Sequence, residues 1–449
     1  MWRSPLNEYI LEVRHMNFSN HVKNVLFEKI NEMSDYAWLF CKNPETDFSR
    51  NRKLSFETTM KFLTLLEGGS IKKELLEFFN YDPHSVTASA FVQQRSKILP
   101  EAFEFLFNEF NSAFPAKNMY KDHRLIACDG SDLVIAANPD DKQNYYQTHE
   151  NIKGYSMLHL DACYDLCNRR YIDAIIQPGA NFGEARAMNK MMDRYKGNRN
   201  TIFIADRGYE SYNVFAHAEQ NNLKYLIRVK DKNSNGMLRA LPIPTDNEFD
   251  TSVQLQLTRK QNKEIKAHPE IYKFMPQNSR FDYFENNIFY PITLRILRFK
   301  ISEDTYECII TNLSKDEFSA KDIKKLYHMR WGIETSFREL KYAIGLTSFH
   351  AKKVEYINQE IFARLTLYNV CEIITTHVII QKKETNYQYQ LNYSLAIHIC
   401  RYFLRCTKDI SPPDVEALIQ KNLLPIRPGR KDPRKVKSKS AVSFLYRVA

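Results

Sequence analysis

The sequence has no uninterrupted apolar run long enough to span a bilayer, which excludes a transmembrane role. Residues 1–16 hold Arg3, Glu8, Glu12 and Arg14 and no apolar segment, so no secretory signal is expected. The eight cysteines (41, 128, 163, 167, 308, 371, 400 and 406) are scattered and include no C-x2-C pair. That excludes a disulfide framework or a structural zinc site and makes a reducing cytoplasm the expected home. Cys163 and Cys167 have a loose metal spacing, but they sit in an alternating apolar run and read as core. There is no internal repeat. Acids fall short: 53 Asp and Glu against 64 Lys and Arg give +11 and a pI near 9.0, pointing to a polyanionic partner. What the chain does have is 43% apolar and 13% aromatic content over 449 residues. That is ample for buried cores, and the length suits roughly two to four domains.

Residues 1–115 show only helical periodicity, over Phe56 to Glu67, Lys72 to Phe79, and Ser89 to Phe110 with an interruption at Pro100. The second of these, a short turn, and a helix opening at Thr87 fit a helix-turn-helix with Gln93, Gln94, Arg95 and Lys97 on its polar side. On that reading Arg95 contacts DNA. From Arg124 the texture changes to short β-branched runs at Leu125 to Cys128, Tyr155 to Asp161 and Tyr171 to Ile176. A helix (Glu184 to Tyr195), a strand (Thr201 to Ala205), a helix (Tyr212 to Asn221) and a strand (Tyr225 to Val229) follow. The order predicts an α/β layout with a mixed sheet. Residues 231–318 read as a β-rich insertion, with alternation at Val253, Leu255 and Leu257 and at Ile292, Leu294 and Ile296. Helical structure resumes at Ser319 and runs to about residue 421. Residues 421–449 carry nine basic side chains, Arg430 and Lys431 among them, against the single acid Asp432, so +8 of the net charge lies there. Pro425, Pro428 and Pro433 keep this tail extended, which suits tracking along a phosphate backbone.

The sharpest signal is SAKDIKKLYHMRWGIETSFRELKYAIG, residues 319–345. Ser319 and Asp322 form a capping-box pattern and Gly345 a stop, so a helix is bounded at both ends by its own chemistry. At about 100° per residue, Tyr327, Arg330, Glu334 and Lys341 share an arc of about 60°. That arc borders an apolar stripe of Met329, Ile333, Phe337, Leu340 and Ile344, so Glu334 aims at the rim of the sheet while Glu339 is expected to face solvent. Asp129 and Asp206 each follow a buried strand, at the edge where open α/β sheets bind ligands. Asp132 is the alternative to Asp129. Two strand-end Asp and one rim-facing Glu, from separated segments, form a hard oxygen set suited to one or two Mg2+ ions, and two-metal carboxylate sites perform in-line phosphoryl transfer. Arg330 and Lys341 would hold DNA phosphates beside it, with Tyr327 reaching a sugar or phosphate.

Tyr327, Arg330, Glu334 and Lys341 reproduce a Y-x2-R-x3-E-x6-K signature; Asp206-Arg207-Gly208-Tyr209 and Cys128-Asp129-Gly130-Ser131 add two acid motifs, 77 residues apart, with Glu334 a further 128 along. Over about residues 50–440 the chain resembles the bacterial insertion-sequence DDE transposases of the YREK, or IS-four, family. The resemblance implies a ribonuclease-H-like α/β catalytic core (residues 116–345) interrupted by the β-rich insertion (231–318). A helical N-terminal DNA-binding domain (1–115) and a helical C-terminal region with a basic tail (346–449) flank it. It implies Asp129, Asp206 and Glu334 as catalytic ligands of two Mg2+ ions, with Mn2+ able to substitute. It further implies that Tyr327, Arg330 and Lys341 hold the cleaved end, and Arg207 beside the second acid joins them as a DNA contact. Relatives stack an unpaired base on an insertion-domain aromatic; Tyr306 is the candidate, with Tyr283, Phe284 and Tyr290 as alternatives. The partners implied are double-stranded DNA, namely the element's terminal inverted repeats and a target, and a second copy of the chain in the DNA complex, with no membrane. A metal-dependent endonuclease that does not join ends, and a non-catalytic DNA-binding repressor, are the competing functions.

Overall fold

The computed structural model describes residues 5–147, 149, 153–284, 288–378, 389–406 and 413–426. Five helices come first: α1 (Pro5–Asp35), α2 (Phe56–Leu65), α3 (Ile71–Phe78), α4 (Ala88–Arg95) and α5 (Glu101–Ala113). Serine or threonine starts three of them, with the hydroxyls of Ser55, Ser70 and Thr87 accepting from the backbone N–H of Thr58, Lys73 and Ala90. In α1, Val22, Leu26, Ile30 and Met33 recur at helical spacing and are all buried. This helix precedes the first periodic segment recognised in the sequence.

The sheet begins with β1 (Arg124–Ile135), β2 (Tyr145–Tyr146), β3 (Tyr155–Asp165) and β4 (Arg170–Pro178). Helix α6 (Glu184–Asp193) leads to β5 (Thr201–Ala205), and α7 (Tyr212–Gln220) leads to β6 (Lys224–Val229). β3 pairs antiparallel with both β1 and β4, whereas β1, β5 and β6 run parallel. The segment anticipated as an insertion supplies β7 (Phe249–Thr258), the short α8 (Lys263–Ala267), β8 (Tyr272–Phe274), β9 (Phe289–Ser302) and β10 (Thr305–Thr311). It is β-rich, as its alternation indicated, but it continues the central sheet: β10 pairs antiparallel with β6, from Cys308↔Val229 to Thr311↔Leu226. The result is one ten-stranded mixed sheet, ordered β2-β3-β1-β5-β6-β10-β9-β7-β8 with β4 also on β3.

Helices α9 (Ala320–Met329), α10 (Trp331–Tyr342) and α11 (Val354–Thr376) follow, then α12 (Tyr393–Arg405) and α13 (Val415–Lys421), with a two-residue ladder joining β11 (Tyr389–Gln390) to β12 (Leu424–Pro425). Among the described residues no helix is long and apolar enough to cross a membrane. One face of the sheet packs Ala127, Leu133 and Ile135 against α10, α11 and the N-terminal helices in a continuous core; the other packs Ile126 and Cys128 against α6 and α7. All eight cysteines are free, and Cys163 is buried against Cys128.

The packing of α4 corrects the reading of Arg95 as a DNA contact. Arg95 is 2% exposed. Its guanidinium donates to Glu360 Oε1 at 3.0 Å, Gln359 Oε1 at 3.2 Å and the Tyr356 carbonyl at 2.9 Å, all on α11. Gln94 is buried as well. The polar side of this helix faces another helix, because a buried arginine with a carboxylate partner satisfies the interior as well as an apolar residue would. Arg95→Ala would leave Glu360 with Arg364 at 3.4 Å and the His350 N–H at 3.0 Å but remove the donor from the buried Gln359 and Tyr356 oxygens, and is expected to lower stability by about 1–3 kcal/mol. Chemical denaturation measures this, and the salt slope of DNA binding should stay at the wild-type value.

Candidate active site at the end of the parallel strands

The site is set by strand register. β1 and β5 pair parallel from Arg124↔Thr201 to Ala127↔Ile204, an offset of 77 residues. Continued two steps, the same offset places Asp129 opposite Asp206. Asp129 does not end its strand, as the sequence reading had it: β1 continues to Ile135, paired with β3, while β5 stops at Ala205. The open edge therefore arises because β5 is short. Asp206 then turns the chain, its carboxylate accepting from Gly208 N–H at 2.8 Å to cap the turn Arg207–Tyr209.

Glu334 comes from α10. The Ser319–Asp322 capping box is formed, and Gly345 takes φ +90°, a left-handed conformation that glycine adopts without penalty. Between them the expected single helix is divided at Arg330, whose N–H bonds the Tyr327 carbonyl at 3.1 Å and whose own carbonyl accepts from Ile333 at 3.1 Å. Ile333, Phe337, Leu340 and Ile344 are buried, as the apolar stripe required. Trp331, Arg338 and Tyr342 lie on the exposed face.

Arg330 is the central cation. Its side chain, 6% exposed, lies 2.5 Å from Glu334 Oε1 and 3.8 Å from Asp129 Oδ2, so it joins the first and third acids directly. Burial pushes the Asp129 carboxyl up to about 7; Arg330 and the Gly130 N–H oppose this, while Asp206 and Glu334 add to it. Lys341 Nζ donates to the Asp132 carbonyl at 2.9 Å, tying the far end of α10 to β1. Burial holds its pKa below the usual lysine range. Tyr327 is 4% exposed, between Arg330 and Arg228, and its phenol is pushed up by burial. Of the YREK side chains, then, Glu334 and Lys341 reach the open edge, whereas Tyr327 and Arg330 lie beneath it.

The remaining candidates fall elsewhere. Arg207 is exposed beside Asp206. Tyr306 opens β10, and one face of its ring is covered by the Arg298 guanidinium at 3.8 Å from the ring centroid. Tyr283, Phe284 and Tyr290 pack with Phe281 in an aromatic cluster. Arg430 and Lys431 lie outside the described residues. Asp132, the alternative first acid, instead bonds His159 Nδ1 at 2.7 Å. His159 and Asp161 were not singled out from the sequence, although a His and an Asp two apart in an otherwise buried strand are hard to explain by core packing.

Set beside known proteins, residues 120–370 match the family described as the transposase DDE domain. The match spans more than half of the chain, and the chain belongs to that family. Over 57 residues it is 39% identical to the putative transposase InsL of insertion sequence element IS186A from Escherichia coli (strain K12) and, equally, to the transposase of insertion sequence element IS421 from Escherichia coli. That stretch is 13% of this chain and 15% of each relative. The cryo-EM structure of the piggyBac transposase synaptic complex with hairpin DNA superposes with a TM-score of 0.45 at 9% identity, over 86% of this chain and 80% of that one, a likeness too remote to assign residues.

Glu339, expected in solvent, is half-buried instead: it accepts from Tyr368 Oη at 2.9 Å and lies 3.8 Å from Arg169, which also pairs with the buried Glu372 at 3.0 Å. Burial, with Glu372 nearby, pushes its carboxyl up to about 7. Because this pKa is raised, stability is complete below the ordinary carboxylate range and is lost as pH rises from about 4.5 through about 7. Glu339→Gln keeps an acceptor for Tyr368 and is expected to add about 1–3 kcal/mol at pH 8 and almost nothing at pH 4. Denaturation midpoints at the two pH values check it, and an equal effect at both would refute the assignment.

Proposed function

We propose that the chain is the DNA transposase of an insertion sequence, cutting and joining DNA at the terminal inverted repeats of its own element through Asp129, Asp206 and Glu334. The observation that carries this is the shared offset of 77: the parallel register of β1 and β5 brings alongside one another the two acids that the family motifs place that far apart. Arg330 then joins the third acid to the first. The strand order β4-β3-β1-β5-β6, three antiparallel strands followed by two parallel ones, supports a ribonuclease-H-like core over residues 116–345. Residues 1–115 and 346–449 would serve DNA binding, and a second copy of the chain would join in bridging two ends.

The donor set fits divalent cations, Mg2+ with Mn2+ able to substitute. It consists of carboxylate oxygens only, and Asp129 is raised by burial first and by Asp206 and Glu334 in smaller part, a cost that a bound cation would offset. Among the described residues no three His, Cys, Asp or Glu side chains are grouped closely enough to hold a metal ion as they stand. Asp129, Asp206 and Glu334 would hold the ions, which when bound supply charge for an in-line displacement at phosphorus and an activated water or 3′-hydroxyl. The chain's own groups do the rest. Arg330, too buried to reach a phosphate freely, fixes the geometry of Asp129 and Glu334. Lys341, which ties α10 to β1 through the Asp132 carbonyl, would hold DNA phosphate at the edge, and Arg207 offers an exposed cation beside the second acid.

Asp129→Asn, Asp206→Asn and Glu334→Gln should each cut cleavage by more than the roughly 10- to 100-fold that losing a supporting partner of a metal ligand costs, and leave binding to the element ends nearly unchanged. The assay is cleavage with Mg2+ of a plasmid carrying the gene and its flanking DNA, run beside Asp206→Asn. Double-strand cuts at both flanks, absent in the variant, are expected; scattered nicking would indicate a nuclease, and binding without cutting a repressor.

A further inference from the structure

A second carboxylate reaches the same edge from the opposite face of the sheet. Alternation along β1 turns Asp129 toward α10 and Gly130 toward α6. Above Gly130 there is no room for a side chain: a Cβ would lie 2.4 Å from His159 Nε2 and 2.6 Å from Glu184 Oε1. At Gly208, two residues past Asp206, a Cβ would lie 2.9 Å from Glu184 Oε2 and 3.0 Å from Asp206 Oδ1. One oxygen of Glu184 thus sits over the glycine that follows the first acid, the other beside the second acid. Glu184 opens α6, where the helix dipole favours an ionised carboxylate.

His159 holds it there. The imidazole is 3% exposed, stacks on Phe182 with ring centroids 3.8 Å apart, bonds Asp132 Oδ1 through Nδ1 at 2.7 Å, and brings Nε2 within 3.5 Å of Glu184 Oε1 and 3.6 Å of Asp161 Oδ1. Burial alone would strip its proton, but Asp132, Asp161 and Glu184 outweigh it and hold the pKa up to about 11. Yet the seam is incompletely satisfied. His159 Nε2, Asp161 Oδ1 and Tyr209 Oη are all buried without a hydrogen bond, and three such atoms in one seam call for a physical reason.

We propose that Glu184 is a fourth carboxylate of the cation site, binding an ion or one of its waters on the Asp206 side, and that His159 is the positioning residue that keeps it there. The proposal rests on Asp129, Asp206 and Glu334 being the cation site. It explains why both acid motifs carry glycine within two residues of the acid, for a Cβ at either place would displace the Glu184 carboxylate.

The test is Mn2+ binding by the full chain without DNA, followed by electron paramagnetic resonance of the free ion, for wild type, Glu184→Gln, His159→Gln and Asp129→Asn, with circular dichroism melts as the fold control. Glu184→Gln should weaken binding of one ion by about 10-fold or more, His159→Gln by a smaller factor, and the double variant no more than Glu184→Gln alone. Wild-type binding in Glu184→Gln alongside loss in Asp129→Asn overturns this proposal and leaves the transposase reading standing. No binding by wild type, or full binding in Asp129→Asn, overturns both. Should Glu184→Gln fail to fold, Fe2+ and peroxide cleavage of the wild-type backbone decides: cuts at Glu184 as well as near Asp129 and Asp206 are expected, and cuts near the two Asp residues alone overturn it.

Discussion

The parallel pairing of β1 with β5 is the constraint on which the rest depends. A one-residue slip would turn Asp129 to the opposite face of the sheet, toward α6, and leave Arg330 paired with Glu334 alone. Nothing in the acids themselves guards against that slip. The buried residues of the ladder do, because Ala127 must meet the α10 and α11 core while Ile126 and Cys128 meet α6 and α7. The accuracy of the site is thus a by-product of apolar packing several residues away.

Upon that frame the molecule concentrates charge in a way that stability alone would not favour. Asp129 is held near the middle of the pH scale by burial and neighbouring acids. Three cations serve the edge from distinct elements: Arg330 between the helices, His159 within β3, and Lys341 at the end of α10. Each is largely withdrawn from solvent, so their interactions are stronger than surface pairs of equal length. Arrangements of this kind, costly to the fold and over-determined by their surroundings, are the usual mark of a site kept for its chemistry.

Much of this was legible in the sequence, for identifiable reasons. The limits of the strand Thr201–Ala205 followed the apolar run, though β1 ran past Asp129 to Ile135; the Ser319–Asp322 box and Gly345 announced the ends of the helical segment that carries Glu334, though not its division at Arg330; and the offset between the two acids was already the register of the sheet. What could not be read were the long-range pairings. Arg95 has the composition of a surface residue, and Tyr356, Gln359 and Glu360, more than 260 residues later, make it interior. Glu339 likewise depends on Tyr368 and Arg169. The insertion was recognised by its alternation, but periodicity says nothing of which strand pairs with which, so its merger with β6 through β10 stayed hidden. Residues 120–370 belong to the transposase DDE-domain family, and the relation between this topology and the two acid motifs gives that membership a physical basis.

The order in which the acids occur along the chain has a consequence for synthesis. Asp206 leaves the ribosome 77 residues after Asp129, and Glu334 a further 128 residues later, a last delay of roughly 6 to 26 s at ordinary elongation rates. α10 can dock only against a core that α11 completes. A nascent or prematurely terminated chain would therefore carry Asp129 and Asp206 on the paired β1 and β5 but neither Glu334 nor the basic residues of 421–449, and so an incomplete edge.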